Sequence, residues 1–147
     1  TIKNDVIWWE AGAQPPQLLA DGEVSMAFAF NGRIFNAAQG EGKPFKIVWD
    51  NQILDGDGWA IPKGAKNLEG AYKFIAYASQ PKAMAEQTNY IAYGPANKDA
   101  GPMLPENRKD VLPTSQTNLD TAFVMDQKFW SDYGDQLRER FATWVAQ

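Results

Sequence analysis

The chain has 147 residues, of which 44% are hydrophobic and 13% aromatic, and it carries a formal net charge of −4. That is enough for one domain with a real core, and it excludes a disordered segment. With neither cysteine nor histidine present, disulfides, thiolate metal sites, cysteine nucleophiles, Ser-His-Asp hydrolysis and HExxH metalloproteases are all ruled out.

Residues 6–9, Val-Ile-Trp-Trp, read as a short buried strand. A loop to Pro16 leads into a short helix through Ala20, opened by Pro15 or Pro16 and stopped at Gly22. Residues 24–30 alternate large and small side chains and read as a second strand. Asn31 then caps a helix over 33–39, ended by Gly40 and Gly42. Residues 45–49 read as a third strand and 58–61 as a fourth, closed by Pro62. A turn spans 63–66. Asn67 caps a helix over 68–78, whose Leu68, Ala71, Tyr72, Ile75 and Ala78 fall on one face. Pro81 opens the next helix, to about Thr88. Residues 90–105 are irregular, with three prolines and two glycines. A short helix follows over 106–110, and another, from Thr117 or Asn118, includes 119–125. The last covers about 126–146, broken near Gly134, with an apolar face of Leu137, Phe141, Trp144 and Val145. Strands alternating with helices predict an α/β layered fold. No run approaches the roughly 18 apolar residues of a membrane span. The chain opens at Thr1 with no initiator Met and no signal-peptide pattern, and reads as cut from a larger protein.

The most telling stretch is 50–62, an acidic loop with glycines at 56 and 58 that runs into Trp59-Ala60-Ile61-Pro62. Asp55 and Asp57 thereby sit on backbone able to approach a ligand closely. An ammonium group wants a carboxylate acceptor and electron-rich ring faces. The acidic balance, without a Lys/Arg cluster, favours such a cationic or zwitterionic partner over nucleic acid. Asp55 and Asp57 also read as plain turn residues, or as a glycosidase acid pair. A calcium loop fits poorly, since the EF-hand glutamate is missing and Trp59 to Pro62 replace oxygen ligands. Trp8, Trp9 and Glu10 end a strand near a cleft. Trp49 reads as packing, Trp130, Phe141 and Trp144 as core, and the run 138–140 as a solvated helix face.

Five phrases together resemble the spermidine/putrescine-binding (polyamine) family of bacterial ABC-transporter solute-binding proteins. They are Leu19-Ala20-Asp21-Gly22-Glu23-Val24, Phe28-Ala29-Phe30-Asn31-Gly32, Asp57-Gly58-Trp59-Ala60-Ile61-Pro62, Ala65-Lys66-Asn67-Leu68-Glu69-Gly70 and Tyr93-Gly94-Pro95-Ala96-Asn97. They follow the family's order and approximate spacing over most of the chain. The resemblance implies the C-terminal half of a type II, two-lobe periplasmic binding protein. Residues 1–54 would belong to the second lobe, 55–102 to the first after a hinge crossing, and 103–147 to helices returning to the second.

It also implies a non-catalytic receptor that delivers a small amine to an ABC permease from the periplasm, with no cofactor or metal. The implied ligand-binding residues are Phe30, Asn31, Arg33, Asp55, Asp57 and Tyr93. Phe30 stands for an aromatic wall, Asp57 for the ammonium-holding carboxylate, and Tyr93 for an aromatic or hydroxyl contact. Asp55 departs from the spermidine-type pattern, which has an aromatic there. Arg33 departs too, and a guanidinium favours a ligand carboxylate, hence an ω-amino acid or another zwitterion. A half-receptor is expected to expose core surface and self-associate, and to bind its solute weakly or not at all.

Overall fold

The computed structural model describes residues 2–147. Six helices carry the fold: α1 (Gln14–Ala20), α2 (Asn31–Gly40), α3 (Leu68–Ala78), α4 (Pro81–Gln87), α5 (Gln116–Leu119) and α6 (Gln127–Ala146). Two two-residue strands, β1 (Ile53–Leu54) and β2 (Phe123–Val124), pair in parallel, with Ile53 opposite Phe123 and Leu54 opposite Val124.

The helices have local causes. Asn67 Oδ1 accepts the Gly70 N–H at 2.9 Å, as an N-cap should, and α3 runs over the residues its apolar spacing predicts. Asp126 accepts the Phe129 N–H at 3.0 Å and starts α6. Prolines lie in the first turns of α1 and α4, where a missing N–H costs nothing. The turn after Pro62 is present, with the Ala65 N–H donating to the Pro62 carbonyl at 3.1 Å and Gly64 at φ 86°.

Four expectations are corrected. The segments 6–9, 24–30, 45–49 and 58–61 lie outside any β-ladder. Burial still alternates along 26–30 and 45–49, so the period-two pattern is real. A strand also needs a neighbouring strand to accept its backbone hydrogen bonds in series, and among the described residues no strand pairs with these segments. Second, the helix expected over 119–125 ends at Leu119. Beyond it the Phe123 N–H donates to the Gln52 carbonyl at 2.7 Å and the Met125 N–H to Leu54 at 2.9 Å, drawing this stretch into the parallel pair. Third, α6 continues unbroken through Gly134, which is buried. Fourth, Trp130, Phe141 and Trp144 are not core; Phe141 keeps 49% of its surface in solvent. Trp8 covers part of that helix face, its ring meeting Phe141 and Trp144 edge-on at 5.3 and 5.4 Å.

The core lies beneath α2. Phe35, Ala92 and Leu112 form it, with Ile47, Leu104 and Val111 packed against them. The Arg108 guanidinium lies 4.8 Å from the Phe35 ring centre and closes one side. Asn118 is buried and donates to the Leu112 carbonyl at 2.8 Å, while Gln52 Nε2 donates to the carbonyls of Pro113 and Asn118. These side-chain bonds tie the loop after Leu112 to the strand pair, and so hold the first residue of α6 near the acidic loop.

Candidate functional site

The start of α2 gathers three of the six candidate residues. Gly32 lies in its first turn, where an added Cβ would come within 2.7 Å of the Tyr93 ring and 2.9 Å of Ile91. Only a residue without a side chain lets the helix sit this close to Tyr93. Asn31 does not cap the helix; the backbone of Phe30 takes the N-cap position. The Asn31 side chain instead reaches across and donates to the Ala92 carbonyl at 2.5 Å. That bond fixes the loop carrying Tyr93 against the helix that follows Phe30.

The Phe30 ring is 59% exposed. It meets Trp9 at 6.0 Å between ring centres with an interplanar angle of 66°, and the Trp9 indole N–H donates to the Phe28 carbonyl at 2.9 Å. Gly12 admits the other edge of Phe30, since a Cβ there would lie 3.1 Å from the ring. Gly94, next to Tyr93 in the chain, instead lies against Thr114, where a side chain would collide. Two glycines thus bring backbone up to rings, Gly12 to Phe30 and Gly32 to Tyr93. Phe30 and Tyr93 remain open to solvent, and Trp9 is half-buried.

The acids stand at the end of β1. Asp55 Oδ1 accepts from Gln127 Nε2 at 2.6 Å and from the Gly56 N–H at 2.8 Å. Its carboxylate is committed to holding the loop against the first turn of α6. Asp57 is exposed and forms no hydrogen bond or ion pair with any described residue. Its charge is therefore free to meet a ligand. The aromatic contact nearest it in sequence is Trp59 against Phe74, edge-on at 5.1 Å.

Arg33 is placed apart. It lines a depression of about 350 Å³ between α1 and α2 with Gln17, Asn36, Glu41 and Lys43, and none of the other five candidates lines it. Among the described residues no group of three or more acidic side chains is placed to hold a metal ion. Chemically, the chain offers ring edges at the start of α2, an unneutralised carboxylate on the acidic loop, and a guanidinium beside α1, and no contact among the described residues joins Asp57 to the rings. Sequence reasoning missed Gln127 as the partner of Asp55. The pairing joins positions 72 apart and follows from the parallel strand pair, which no local pattern announced. The glycines at 12 and 32 are the sequence signal that could have announced close approach around the rings.

This geometry meets a clear relationship. Residues 1–113 match the family of bacterial extracellular solute-binding proteins, and the chain belongs to that family. It is 46% identical over 146 residues to the gamma-aminobutyric acid-binding protein of Pseudomonas aeruginosa, covering 99% of this chain and 41% of that protein. It is 37% identical over 126 residues to the spermidine/putrescine-binding periplasmic protein of Salmonella typhimurium, covering 82% and 34%. Among solved structures it superposes on an ABC transporter substrate-binding protein from Bradyrhizobium japonicum with a TM-score of 0.89, at 36% identity, over 99% of this chain and 46% of that one. The AgtB binding protein of A. tumefaciens R10, in complex with agropinic acid, gives a TM-score of 0.86 at 34% identity over 99% and 46%. The fold is therefore part of a type II, two-lobe periplasmic binding protein. The chain spans less than half the length of these relatives.

Proposed function

We propose that this chain supplies part of the ligand site in the periplasmic solute-binding component of an ABC importer, and that its solute is a small molecule bearing a primary amine. The observation that carries the reading is the gathering of Trp9, Phe30, Asn31 and Tyr93 at the start of α2, with the uncompensated Asp57 carboxylate as the ammonium acceptor. Ring walls contribute about 0.8 kcal/mol per methylene they bury. A cation–π contact adds about 0.5–2 kcal/mol according to desolvation. Asp57 supplies charge-assisted hydrogen bonds. Asp55 acts through the loop, since Gln127 already occupies it.

A zwitterionic solute is the second reading. Arg33 forms no ion pair with any described residue, and the relative that is 46% identical is named for gamma-aminobutyric acid. A guanidinium in the first turn of α2 would receive the carboxylate end of such a molecule. The lobe assignment keeps its proposed boundaries: 1–54 and 103–147 in one lobe, 55–102 in the other. The β1–β2 pairing supports it, because it joins the stretch before residue 55 to the stretch after residue 120.

The protein is read as a receptor, as its relatives are, and no turnover is assigned to it. Titration of tryptophan fluorescence tests this. Putrescine, spermidine or gamma-aminobutyric acid changes the emission, and neutral sugars neither change it nor are consumed. Sugar hydrolysis, or an emission change produced by neutral sugars and not by amines, would sink the reading.

A further inference from the structure

Four pairs in this chain place a glycine directly after an aspartate or asparagine: Asp21-Gly22, Asn31-Gly32, Asp55-Gly56 and Asp57-Gly58. In such a pair the glycine amide nitrogen can close on the preceding side-chain carbonyl carbon and form a five-membered succinimide. Glycine favours this ring, because no side chain blocks the approach and its backbone turns freely. The side chain must also be loose and the backbone free to rotate, so the fold decides which pairs react.

Three of the pairs are held. Asp21 Oδ2 accepts from Gln17 Nε2 at 2.7 Å, and the Gly22 N–H donates to the Leu19 carbonyl at 3.3 Å. Asn31 and Gly32 lie in the first turn of α2, where the Asn31 amide donates to the Ala92 carbonyl and Gly32 sits tight against Tyr93 and Ile91. Asp55 directly follows β1, and its carboxylate accepts from Gln127 Nε2 at 2.6 Å. Asp57-Gly58 has none of these restraints. Both residues are exposed and lie outside any helix or strand. The Asp57 carboxylate has no hydrogen-bond or ion-pair partner among the described residues. A Cβ added at Gly56 or at Gly58 would meet nothing within 4 Å, so the backbone is unobstructed on both sides of the acid.

We propose that Asp57 is a covalent modification site, at which the chain converts spontaneously to isoaspartate. The Asp57 carboxylate takes a proton from solvent, and the Gly58 nitrogen bonds to its Cγ. The Cγ–OH bond breaks, and the hydroxyl leaves with the amide proton as water. A second water then opens the ring. Opening at the Cγ–N bond restores aspartate. Opening at the bond between the Asp57 backbone carbonyl carbon and the Gly58 nitrogen routes the main chain through Cγ, and the former backbone carbonyl becomes the free carboxylate, returning the proton. Mass and charge are unchanged, and water is the only co-reactant. The main chain gains one methylene, and the carboxylate moves from Cβ to Cα. Under the receptor reading this displaces the acid that holds the ammonium group, so conversion ages the ligand site; the chemistry at Asp57 does not rest on that reading.

The test is incubation of the 147-residue chain in warm neutral buffer. Peptide mapping with electron-transfer fragmentation then locates isoaspartate, and labelling by an isoaspartate-specific carboxyl methyltransferase counts it. Isoaspartate is expected at Asp57 at least tenfold faster than at Asp21 or Asp55, with the Asn31 amide retained. In denaturant the three Asp-Gly pairs react at similar rates, because the fold no longer separates them. Gly58→Ala places a methyl group in open space; it leaves the circular dichroism unchanged and slows conversion at Asp57 at least tenfold. Gln127→Ala releases the Asp55 carboxylate and raises isoaspartate there. Equal rates at Asp55 and Asp57 in the folded chain, isoaspartate confined to another pair, or conversion at Asp57 indifferent to Gly58→Ala overturns the proposal. None of these readouts involves a solute, so they stand or fall apart from the receptor assignment.

Discussion

Gly32 sets the distance between the first turn of α2 and the ring of Tyr93. A methyl group there would intrude to 2.7 Å from the ring and 2.9 Å from Ile91, so the neighbours must move. Gly32→Ala is expected to destabilise the chain by about 1–3 kcal/mol, as overpacking does. Urea denaturation checks this as a lower midpoint at unchanged m-value; an unchanged midpoint contradicts it. Phe30, Asn31 and Tyr93 were chosen from motif position, and the segments that carry them are joined by the bond from Asn31 to the Ala92 carbonyl. The role of Asn31 was not legible, because its partner, the Ala92 carbonyl, lies 61 positions away. Arg33 shows the limit of spacing arguments. It sits two residues from Asn31, yet faces the depression beside α1.

At the level of elements, helices were easier to read than strands. A helix closes its own hydrogen bonds and carries its own signals, and α3 begins at its Asn cap and ends at Ala78 as its pattern requires. Removing that cap by Asn67→Ala is expected to cost about 0.5–2 kcal/mol. Thermal unfolding should show a lower midpoint, with amide exchange rising first in residues 68–71; equal exchange along the whole helix would contradict a cap effect. Strands depend on neighbours. The alternation of large and small residues over 24–30, and the apolar run 45–49, were read wrongly as ladder strands, since pairing lies outside the segment itself. The real strands were missed for the same reason. Ile53–Leu54 sat in a stretch read as acidic loop, and Phe123–Val124 in one read as helix; each is defined by the other.

The whole molecule has an unusually open surface for its hydrophobic content. Its buried apolar set is small, centred on Phe35, Ala92 and Leu112, whereas Met26, Phe28 and Val48 stand out in solvent. The family was legible from five short phrases, because motif order survives where ladder partners do not. An exposed site is poorly desolvated, so its charge-assisted and cation–π contacts stay weak. The lone chain is therefore expected to bind amines with a Kd of about 1 mM or weaker, which residue-resolved NMR detects. The most direct test is a titration of the chain with putrescine and gamma-aminobutyric acid at matched ionic strength, followed at backbone amides. Saturable shifts are predicted at Phe30, Asn31, Asp57 and Tyr93, and Asp57→Asn should abolish them while leaving the rest of the spectrum in place. Shifts confined to other surfaces, or a response unaltered by Asp57→Asn, would contradict the claim that this carboxylate holds the ammonium group.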